Sequence, residues 1–372
     1  MKGLYRSFVR FLHGLLVFVH VKKTFLAEWK AILKKRSFYS GVVISPSQLK
    51  DFDDYWVEVY GKRISPRWHK LYATINGHYR KDYLPDVIFS TRLEPKLNPM
   101  RYAMLYSDKS LAEVIYAGVD KVSFPETLVV KANGFFYSSG RKVISKNEAR
   151  KILLNEPVCV VKPLVGGSSG DGVLFFDKTS LSDGVYAEEI SRILDGYGDS
   201  GFIAQKKLHQ HESYNILCDS SVNTIRLITY ICEGVVHHAP MCLRVGSGES
   251  QVDNIHAGGF VAAVADDGLV ISDGYRLGYT DRKEIFEKHP VSGAVFKGHF
   301  LQGTSEMISA AKLLHANTPH IGMVSWDFML DSSGRVVLVE GNYFGQAVWF
   351  TQIVHEKPVF ENNMQAMLSQ LH

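Results

Sequence analysis

A lysine and a glycine-rich segment adjoin each other in the stretch VVKPLVGGSSGDGV, residues 160–173. An apolar strand brings the lysine to a loop whose glycines carry no Cβ, so backbone N–H groups can approach anionic oxygens closely. The spacing matches neither GxxxxGK[ST] nor a GxGxxG that opens a helix. A glycine turn between two strands is the ordinary alternative. Read as a polyphosphate site, the stretch offers Lys162, Gly166, Gly167, Ser168, Ser169 and Gly170.

Three oxygen-bearing side chains lie near the end of the chain, in GMVSWDFMLDSSGRVVLVEGNYFGQ. Asp327 sits in one strand-like run, DSSG predicts a turn, and the second run carries Glu340 and Asn342. Their spacing of two puts Glu340 and Asn342 on one face of a strand, which Asp327 can face across a hairpin. Such oxygen ligands suit magnesium that also holds nucleotide phosphates. The alternative is a hairpin whose polar residues face water, although a carboxylate in apolar strands is costly unless paired or metal-bound.

Two arginines stand in predicted strands among apolar neighbours, Arg226 in SVNTIRLITY and Arg244 in CLRVG. An arginine in such a place is either half of a buried ion pair or an anion ligand that faces a cleft. The pattern leaves both interpretations open.

Taken in chain order, the lysine, the glycine loop and the Asp…Glu-x-Asn array resemble the ATP-grasp proteins. The chain is most similar to the sugar-transfer-associated ATP-grasp group found among bacterial surface-polysaccharide genes. The resemblance runs from about Ser45 to about Pro358 and includes SDKSLAEVIYAG, FIAQKKL, SVNTIRLITY and LRVGSGESQVDNIHAGG. It implies an α+β ATP-grasp fold, in which two α+β lobes clasp ATP.

The resemblance also implies roles for residues near the nucleotide. Lys109 matches the family's second nucleotide cation, and FIAQKKL matches the hinge that binds adenine through Gln205, Lys207 and Leu208. Glu212 matches a ribose-binding acid, with His211 or Asn215 as alternatives. The cofactors implied are ATP and Mg²⁺, the latter on Asp327, Glu340 and Asn342.

For the acceptor side, the resemblance favours Arg226 and Arg244 as ligands of the transferring phosphate and the substrate carboxylate. DNIHAGG resembles an N-x-x-x-GG element of amino-acid ligases, so Asn254 and His256 are expected beside an acylphosphate. His256 is either a base toward an amine or a hydrogen-bonded structural histidine.

The activity implied is that of an ADP-forming carboxylate–amine ligase, which acts through an acylphosphate. The expected partners are a carboxylate-bearing substrate, a sugar acid by the family's association with surface polysaccharide, and an amine or amino acid. Two alternatives stay open: a kinase of sugar or polyol hydroxyls, and a nucleotide-regulated scaffold of a glycan assembly complex.

The composition permits this interpretation, since 372 residues at 46% hydrophobic can bury the cores of two or more lobes. The net charge of +4 is too small to argue for nucleic acid. Four single cysteines in apolar segments indicate reduced core residues of a cytosolic protein. We divide the chain into an arm (1–36), an N-terminal region (37–108), a small lobe (109–210) and a large lobe (211–372).

The arm carries nine lysines and arginines against the single acid Glu28. At helical spacing, Lys2, Arg6, Arg10 and His13 share one face and apolar residues from Leu4 to Val19 share another. Its most apolar run is too short to span a membrane. A basic amphipathic helix on the anionic cytoplasmic leaflet therefore competes with a plain helix packed on the lobe.

Two local patterns precede the glycine loop. LPDVIFSTRLEPKLN, interrupted by Pro85 and Pro95 and followed by Pro99, predicts loops and short strands. A helix is expected to start just after Asp108 and to stop at Gly118.

Overall fold

The computed structural model describes residues 2–166, 171–197, 201–248, 253, 255, 258–277 and 284–371, with side chains described from Gly14 onward except those of Leu16 and Asp183. The described residues form a mixed α+β structure. Its helices are α1 (Lys2–Lys34), α2 (Arg36–Tyr39), α3 (Pro46–Tyr60), α4 (Arg67–Asn76), α5 (Asp86–Ile88), α6 (Glu94–Leu97), α7 (Met100–Tyr106), α8 (Ala112–Ile115), α9 (Lys146–Asn155), α10 (Asp183–Asp195), α11 (Glu212–Asn215), α12 (Thr304–Ala316), α13 (Trp349–His355) and α14 (Met364–Ser369).

The strands of the described chain fall into two antiparallel sheets. The small sheet has the order β3-β2-β1-β6-β4-β5; the large sheet has the order β12-β11-β10-β9-β7-β13-β14, with β8 paired to β7. The strands are β1 (Thr127–Ala132), β2 (Phe135–Ser138), β3 (Val143–Ile144), β4 (Val158–Pro163), β5 (Leu174–Asp177), β6 (Phe202–Lys206), β7 (Thr224–Cys232), β8 (Val235–His238), β9 (Met241–Val245), β10 (Phe260–Val264), β11 (Gly274–Arg276), β12 (Glu284–Phe286), β13 (Met323–Leu330) and β14 (Val336–Asn342).

Helices α9 and α10 share a buried core with one face of the small sheet. Helix α9 begins with a capping box, in which the Ser145 hydroxyl accepts from the Glu148 N–H and the Glu148 carboxylate accepts from the Ser145 N–H. Leu153 of α9, Tyr186 and Ile190 of α10 and Phe202 of the sheet are fully buried or nearly so. The opposite face of the sheet is thereby left to form one wall of a cavity.

The large sheet is buried along β7, β9, β10 and β13, and its core contains Trp326, Phe260 and Leu243. Helix α12 covers one face of this sheet through Met307, Ala311 and other apolar residues. The four cysteines of the chain are buried and free, as expected from their apolar surroundings.

The segment around Pro85 is helical, so the prediction of loops and short strands there was wrong. It forms α5, a π-helical turn (Phe89–Leu93), α6 and α7. Pro85 and Pro99 occupy N-cap positions and Pro95 lies in the first turn of α6. A missing N–H costs no intrahelical bond at these positions, so the prolines separate short helices rather than prevent them.

The helix predicted after Asp108 is present but shorter than expected. The Asp108 carboxylate accepts from the Ser110 N–H at 2.9 Å and opens a 3₁₀ turn over Lys109–Leu111. Helix α8 follows and ends at Ile115, before Gly118.

Helix α1 is 33 residues long and packs on the body through Trp29 and Ile32. The amphipathic faces predicted for Lys2 to His13 concern side chains outside the described part of the chain. Within the described residues, no helix combines the length and apolarity that crossing a bilayer requires.

A buried asparagine in the loop between α6 and α7 joins the N-terminal region to the large sheet. Asn98 donates to the carbonyls of Met323 and Tyr343, both at 2.6 Å, and its Oδ1 accepts from the N–H groups of Gly322 and Met323 at 3.1 and 3.0 Å. It thereby fixes both the start of β13 and the end of β14.

We predict that Asn98→Ala lowers the free energy of unfolding by about 3 kcal/mol, because it leaves buried backbone groups without partners. Chemical denaturation of the purified protein measures this. Asn317→Ala, at the exposed end of α12, should change stability by no more than about 0.5 kcal/mol. Equal effects of the two substitutions would contradict the role given to Asn98.

Candidate active site

The two sheets enclose a cavity of about 600 Å³. Its walls come from β4 and β6 of the small sheet, from β7, β9, β13 and β14 of the large sheet, and from residues 343–350. Most of the residues singled out from the sequence line it: Lys109, Lys162, Gly166, Gln205, Lys207, Leu208, Arg226, Arg244, Asp327, Glu340 and Asn342.

Strand register sets the floor of the cavity. Asp327 on β13 is paired with Arg226 on β7 and with Glu340 on β14. The register of β13 and β14 shifts between Asp327 and Phe328, so a bulge lies beside the predicted metal ligands. The side chains of Asp327, Arg226 and Glu340 therefore face the same side of the sheet. Asn342 lies two residues after Glu340 and shares its face, as period-two spacing predicted.

Asp327 is held by two arginines. Arg226 donates from Nε and, at 2.8 Å, from Nη2, and Arg244 donates from Nη1 at 3.1 Å. Burial alone would raise the pKa of Asp327, but the two guanidinium groups outweigh it and hold that pKa below its usual value. The ion pair and the cleft-facing position, which the sequence offered as alternatives for Arg226, are both present.

Asp253 completes this network and was missed from the sequence. Its carboxylate accepts from Arg244 Nη2 at 2.8 Å and from the Thr224 hydroxyl. Burial raises the pKa of Asp253, since the attraction of Arg244 only partly offsets it. The residue stands next to the predicted Asn254, but nothing in DNIHAGG distinguishes an aspartate that contacts an arginine nine positions earlier.

Lys109 connects the glycine loop to the metal-ligand strand. Its Nζ lies 3.1 Å from Glu340 Oε1 and donates to the Gly166 carbonyl at 2.9 Å, and its backbone N–H donates to the Leu164 carbonyl. Gly166 has φ of +80°, which a residue with a Cβ rarely adopts. Burial and the nearby Lys109 lower the pKa of Lys162, while Glu340 opposes that shift.

The donor set around Asp327 suits magnesium. Glu340 and Asp327 supply carboxylates, and Asn342 lies beside them, its Nδ2 3.3 Å from Asp327 Oδ2. In the described part of the chain no three His, Cys, Asp or Glu side chains form a metal-binding group by themselves. Two carboxylates and an amide oxygen fit a hard cation that keeps water and phosphate oxygens as its other ligands.

Gln205, Lys207 and Leu208, which the sequence predicted as a hinge, line the cavity together with the apolar side chains of Val160, Val173 and Phe175. Asn215 also lines the cavity, whereas Glu212, the residue first expected to bind ribose, is not among the described lining residues. His211 caps α11 by accepting from the Ser213 N–H. Of the three sequence candidates for a ribose contact, only Asn215 is among the described lining residues, and the ribose role itself stays a prediction.

Six predicted site residues lie outside the described part of the chain, and their roles remain predictions: Gly167, Ser168, Ser169, Gly170, Asn254 and His256.

An aromatic wall follows the metal-ligand strand and was also missed. Phe344, Trp349 and Phe350 line the cavity, and the Arg226 guanidinium lies 6.0 Å from the centre of the Phe350 ring. The only sequence signal was the aromatic content of NYFGQAVWF, directly after Glu340.

Comparison with known proteins assigns the chain to a family. The α+β class with two antiparallel sheets agrees with the sequence prediction, and a family model for sugar-transfer associated ATP-grasp proteins matches residues 88–367. The chain therefore belongs to the sugar-transfer associated ATP-grasp family. No curated protein matches the chain.

Solved ATP-grasp ligases are distant structural relatives. The VanG D-Ala:D-Ser ligase from Enterococcus faecalis matches with a TM-score of 0.39 and 13% identity, over 73% of this chain and 61% of the ligase. The D-alanyl-alanine synthetase A from Vibrio cholerae matches with a TM-score of 0.41 and 12% identity, over 72% and 65%. The L-amino acid ligase from Bacillus licheniformis matches with 0.37 and 14%, over 73% and 49%. The chain spans less than two thirds of each relative's length.

A buried glutamate positions the loop that carries the aromatic wall. Glu94, only 2% exposed, accepts from the N–H groups of Gly345 and Gln346, the latter at 2.8 Å. The Gln346 side chain in turn accepts from the Ser325 hydroxyl at 2.6 Å. Burial raises the pKa of Glu94 to about 7, although the N–H donors lower it in part.

A carboxyl with a raised pKa binds its proton more tightly in the folded state, so stability is lost as the pH rises from 4.5 to about 7. We predict that the free energy of unfolding of the wild type, relative to Glu94→Gln, falls by about 3 kcal/mol over this range. Denaturation at several pH values measures the difference. As a control, the free energy of unfolding of the wild type relative to Glu306→Gln, a substitution on the exposed face of α12, should stay constant over the same pH range. A constant difference for Glu94→Gln as well would refute the raised pKa.

Proposed function

We propose that the protein is an ATP-dependent carboxylate–amine ligase that acts through an acylphosphate. It joins an amino acid or amine to a sugar acid in surface polysaccharide biosynthesis. The observation that carries the proposal is the single cavity that collects Lys109, Lys162, both arginines and the Asp327 ligand set. Membership of the sugar-transfer associated ATP-grasp family supports both the nucleotide and the sugar.

The charges of the cavity favour a polyanion. Its described lining has six cationic side chains and four carboxylates, the carboxylates being Asp219, Asp253, Asp327 and Glu340 and the cations Lys109, Lys162, Lys206, Lys207, Arg226 and Arg244. Burial lowers the pKa of Lys162, and a nearby anion opposes that shift because it favours the charged form of the lysine.

The proposed reaction has two steps. A substrate carboxylate oxygen takes the γ-phosphoryl group and ADP leaves; an amine nitrogen then attacks the carbonyl carbon, phosphate departs, and the amine loses a proton. Negative charge develops on oxygens in both steps. Arg226 and Arg244 stand at the cavity floor, and each guanidinium has five N–H donors, more than its ion pairs with the aspartates use.

Magnesium, when bound, would neutralise phosphate charge, and Glu340, Asn342 and Asp327 would hold it. Glu340 is the most accessible of the charged ligands, since its side chain is 35% exposed against 7% for Asp327. Asp327 has a second role, because it balances the charges of Arg226 and Arg244 whether or not a metal is present.

We further propose that the protein works in the cytoplasm, at the inner face of the membrane, where a glycan precursor carried on a membrane lipid would meet ATP. This placement follows from the sugar-associated family and from the basic arm predicted over residues 1–36.

The discriminating experiment incubates the protein with MgATP, a set of amino acids and amines, and uronic-acid sugars. A ligase should release ADP and inorganic phosphate in equal amounts, and only when both a carboxylate and an amine are present. ADP without phosphate would identify a kinase and overturn the ligase proposal. Nucleotide binding without turnover on any pair would favour the scaffold.

Glu340→Gln should reduce turnover by about 100-fold or more, because loss of a metal ligand removes several kcal/mol of transition-state stabilisation. This variant tests the metal site more cleanly than Asp327→Asn, which also leaves Arg226 and Arg244 without their shared carboxylate. Glu233→Gln, in the exposed turn between β7 and β8, is the matched control and should retain full activity. Unchanged turnover in Glu340→Gln would exclude a catalytic metal at this position.

Lys162→Met keeps the apolar stem of the side chain and removes the charge. We expect at least about a tenfold loss of ATP affinity by calorimetric titration, because a charge-assisted contact to phosphate is worth about 1.5–3 kcal/mol. Lys142→Met, at an exposed position before β3, should bind ATP as the wild type does. If Lys162→Met binds ATP as tightly as the wild type does, the glycine segment is an ordinary turn and not a phosphate site.

A further inference from the structure

Within its described side chains, helix α1 is held to the body through Ile32 and Trp29. Ile32 is 2% exposed, and Trp29 packs edge-on against Trp68 with ring centres 5.1 Å apart. The acid Glu28 lies on this packed side, where burial raises its pKa. Among its other described side chains, several large apolar ones are exposed.

The exposed apolar side chains form a stripe along the helix, in the same sector of its circumference as Trp29. At about 100° per residue its members fall within roughly one third of the circumference. Leu26 is 66% exposed and Phe18 57%, values that an apolar residue rarely shows beside several others of its kind. The stripe comprises Leu15, Phe18, Val19, Phe25, Leu26 and Leu33.

Lysines border this stripe. Lys23, Lys30 and Lys34 are exposed and recur at spacings of seven and four, so they follow one edge of it. Lys22 lies within the stripe, with Nζ 5.6 Å from the centre of the Phe18 ring, as a lysine does when its stem covers apolar surface. Between Gly14 and Lys34 the only acid is Glu28, which lies outside the stripe and is partly buried.

The same helix touches the wall of the cavity. The ring of His20 lies 5.4 Å from that of Phe344, which lines the cavity beside Gly345 and Gln346. Helix α1 and the Phe344 wall of the cavity are therefore neighbours on the molecule, with His20 on the side of the helix away from the stripe.

We propose that the apolar stripe of α1 docks into the interface of an anionic bilayer, with the helix parallel to the membrane plane. This orientation buries the stripe, places the lysines among anionic headgroups, and keeps the Phe344 wall of the cavity about one helix diameter, roughly 10 Å, from the membrane surface. A second copy of the chain fits less well, because two such stripes in contact would bring their lysine rows together with no acid within the stripe to balance them.

The inference deepens the proposed function, since it makes the acceptor a substrate presented at the membrane. The docking itself needs no substrate and no ATP, so its failure and the failure of the ligase proposal are separate results.

The first test is co-sedimentation of the full chain with vesicles of phosphatidylglycerol and phosphatidylcholine. We expect binding that increases with phosphatidylglycerol content and decreases with salt. Leu26→Glu with Leu33→Glu should weaken binding at least about tenfold, because each leucine loses the free energy of burial. Leu313→Glu, at an exposed leucine on α12, is the matched control and should bind as the wild type does.

The charge contribution is tested separately. Lys23→Ala and Lys30→Ala should each weaken binding to phosphatidylglycerol vesicles by about fivefold. Neither should alter the small remaining binding to pure phosphatidylcholine.

A fluorescent label provides a readout that does not depend on the folding of a charged variant. All four native cysteines are buried, so Leu26→Cys offers a selective site for an environment-sensitive dye. Its emission should shift to the blue on addition of phosphatidylglycerol vesicles, whereas that of Leu313→Cys should not. No shift, or vesicle binding unaffected by Leu26→Glu with Leu33→Glu, overturns the proposal. The proposal is also overturned if sedimentation velocity shows a dimer that Leu26→Glu with Leu33→Glu dissociates, because the stripe would then bind a second copy of the chain.

Discussion

The pairing of Asp327 with Arg226 and Arg244 is the constraint on which the site depends. Asp327 is 5% exposed and Arg244 7%, so neither charge is hydrated and each must find its partner inside the protein. The register of β7, β13 and β14 satisfies this need, because it aligns Arg226, Asp327 and Glu340 across three adjacent strands. The cavity floor is thus fixed before any ligand is considered.

Local patterns carried enough information to predict much of this arrangement. Glu340 and Asn342 are two residues apart in an apolar strand, so their shared face follows from spacing. Lys162 stands at the end of an apolar strand, four residues before Gly166, so its place beside the glycine loop follows from the sequence as well. The packing of the chain decided what spacing could not. Arg226 was compatible with an ion pair or with a cleft, and the fold provides both because the ion pair itself forms the cleft's floor.

Local spacing in the sequence could not predict contacts between residues far apart in the chain. Glu94 contacts Gln346, 252 positions away, and no residue near Glu94 indicates that a buried carboxylate there will hold a loop of the cavity. The helices around Pro85 illustrate a different limit. Proline breaks a helix interior but suits a first turn, and which of these applies depends on where neighbouring helices end. Helix α1 shows a third, since the sequence offered packing on the body as an alternative to an exposed amphipathic helix, whereas Trp29 and Ile32 pack on the body and Leu26 stays exposed.

Lys109 shows why the glycine loop and the acidic strand form one site rather than two. A single ammonium group contacts the Gly166 carbonyl at 2.9 Å and the Glu340 carboxylate at 3.1 Å. Glu340 also opposes the pKa shift of Lys162, so both lysines are coupled to the same carboxylate. Any ligand that changes the charge at Glu340 must therefore change the electrostatics of the glycine loop. Because the loop belongs to the small sheet and Glu340 to the large one, this contact also couples the two lobes to whatever occupies the cavity.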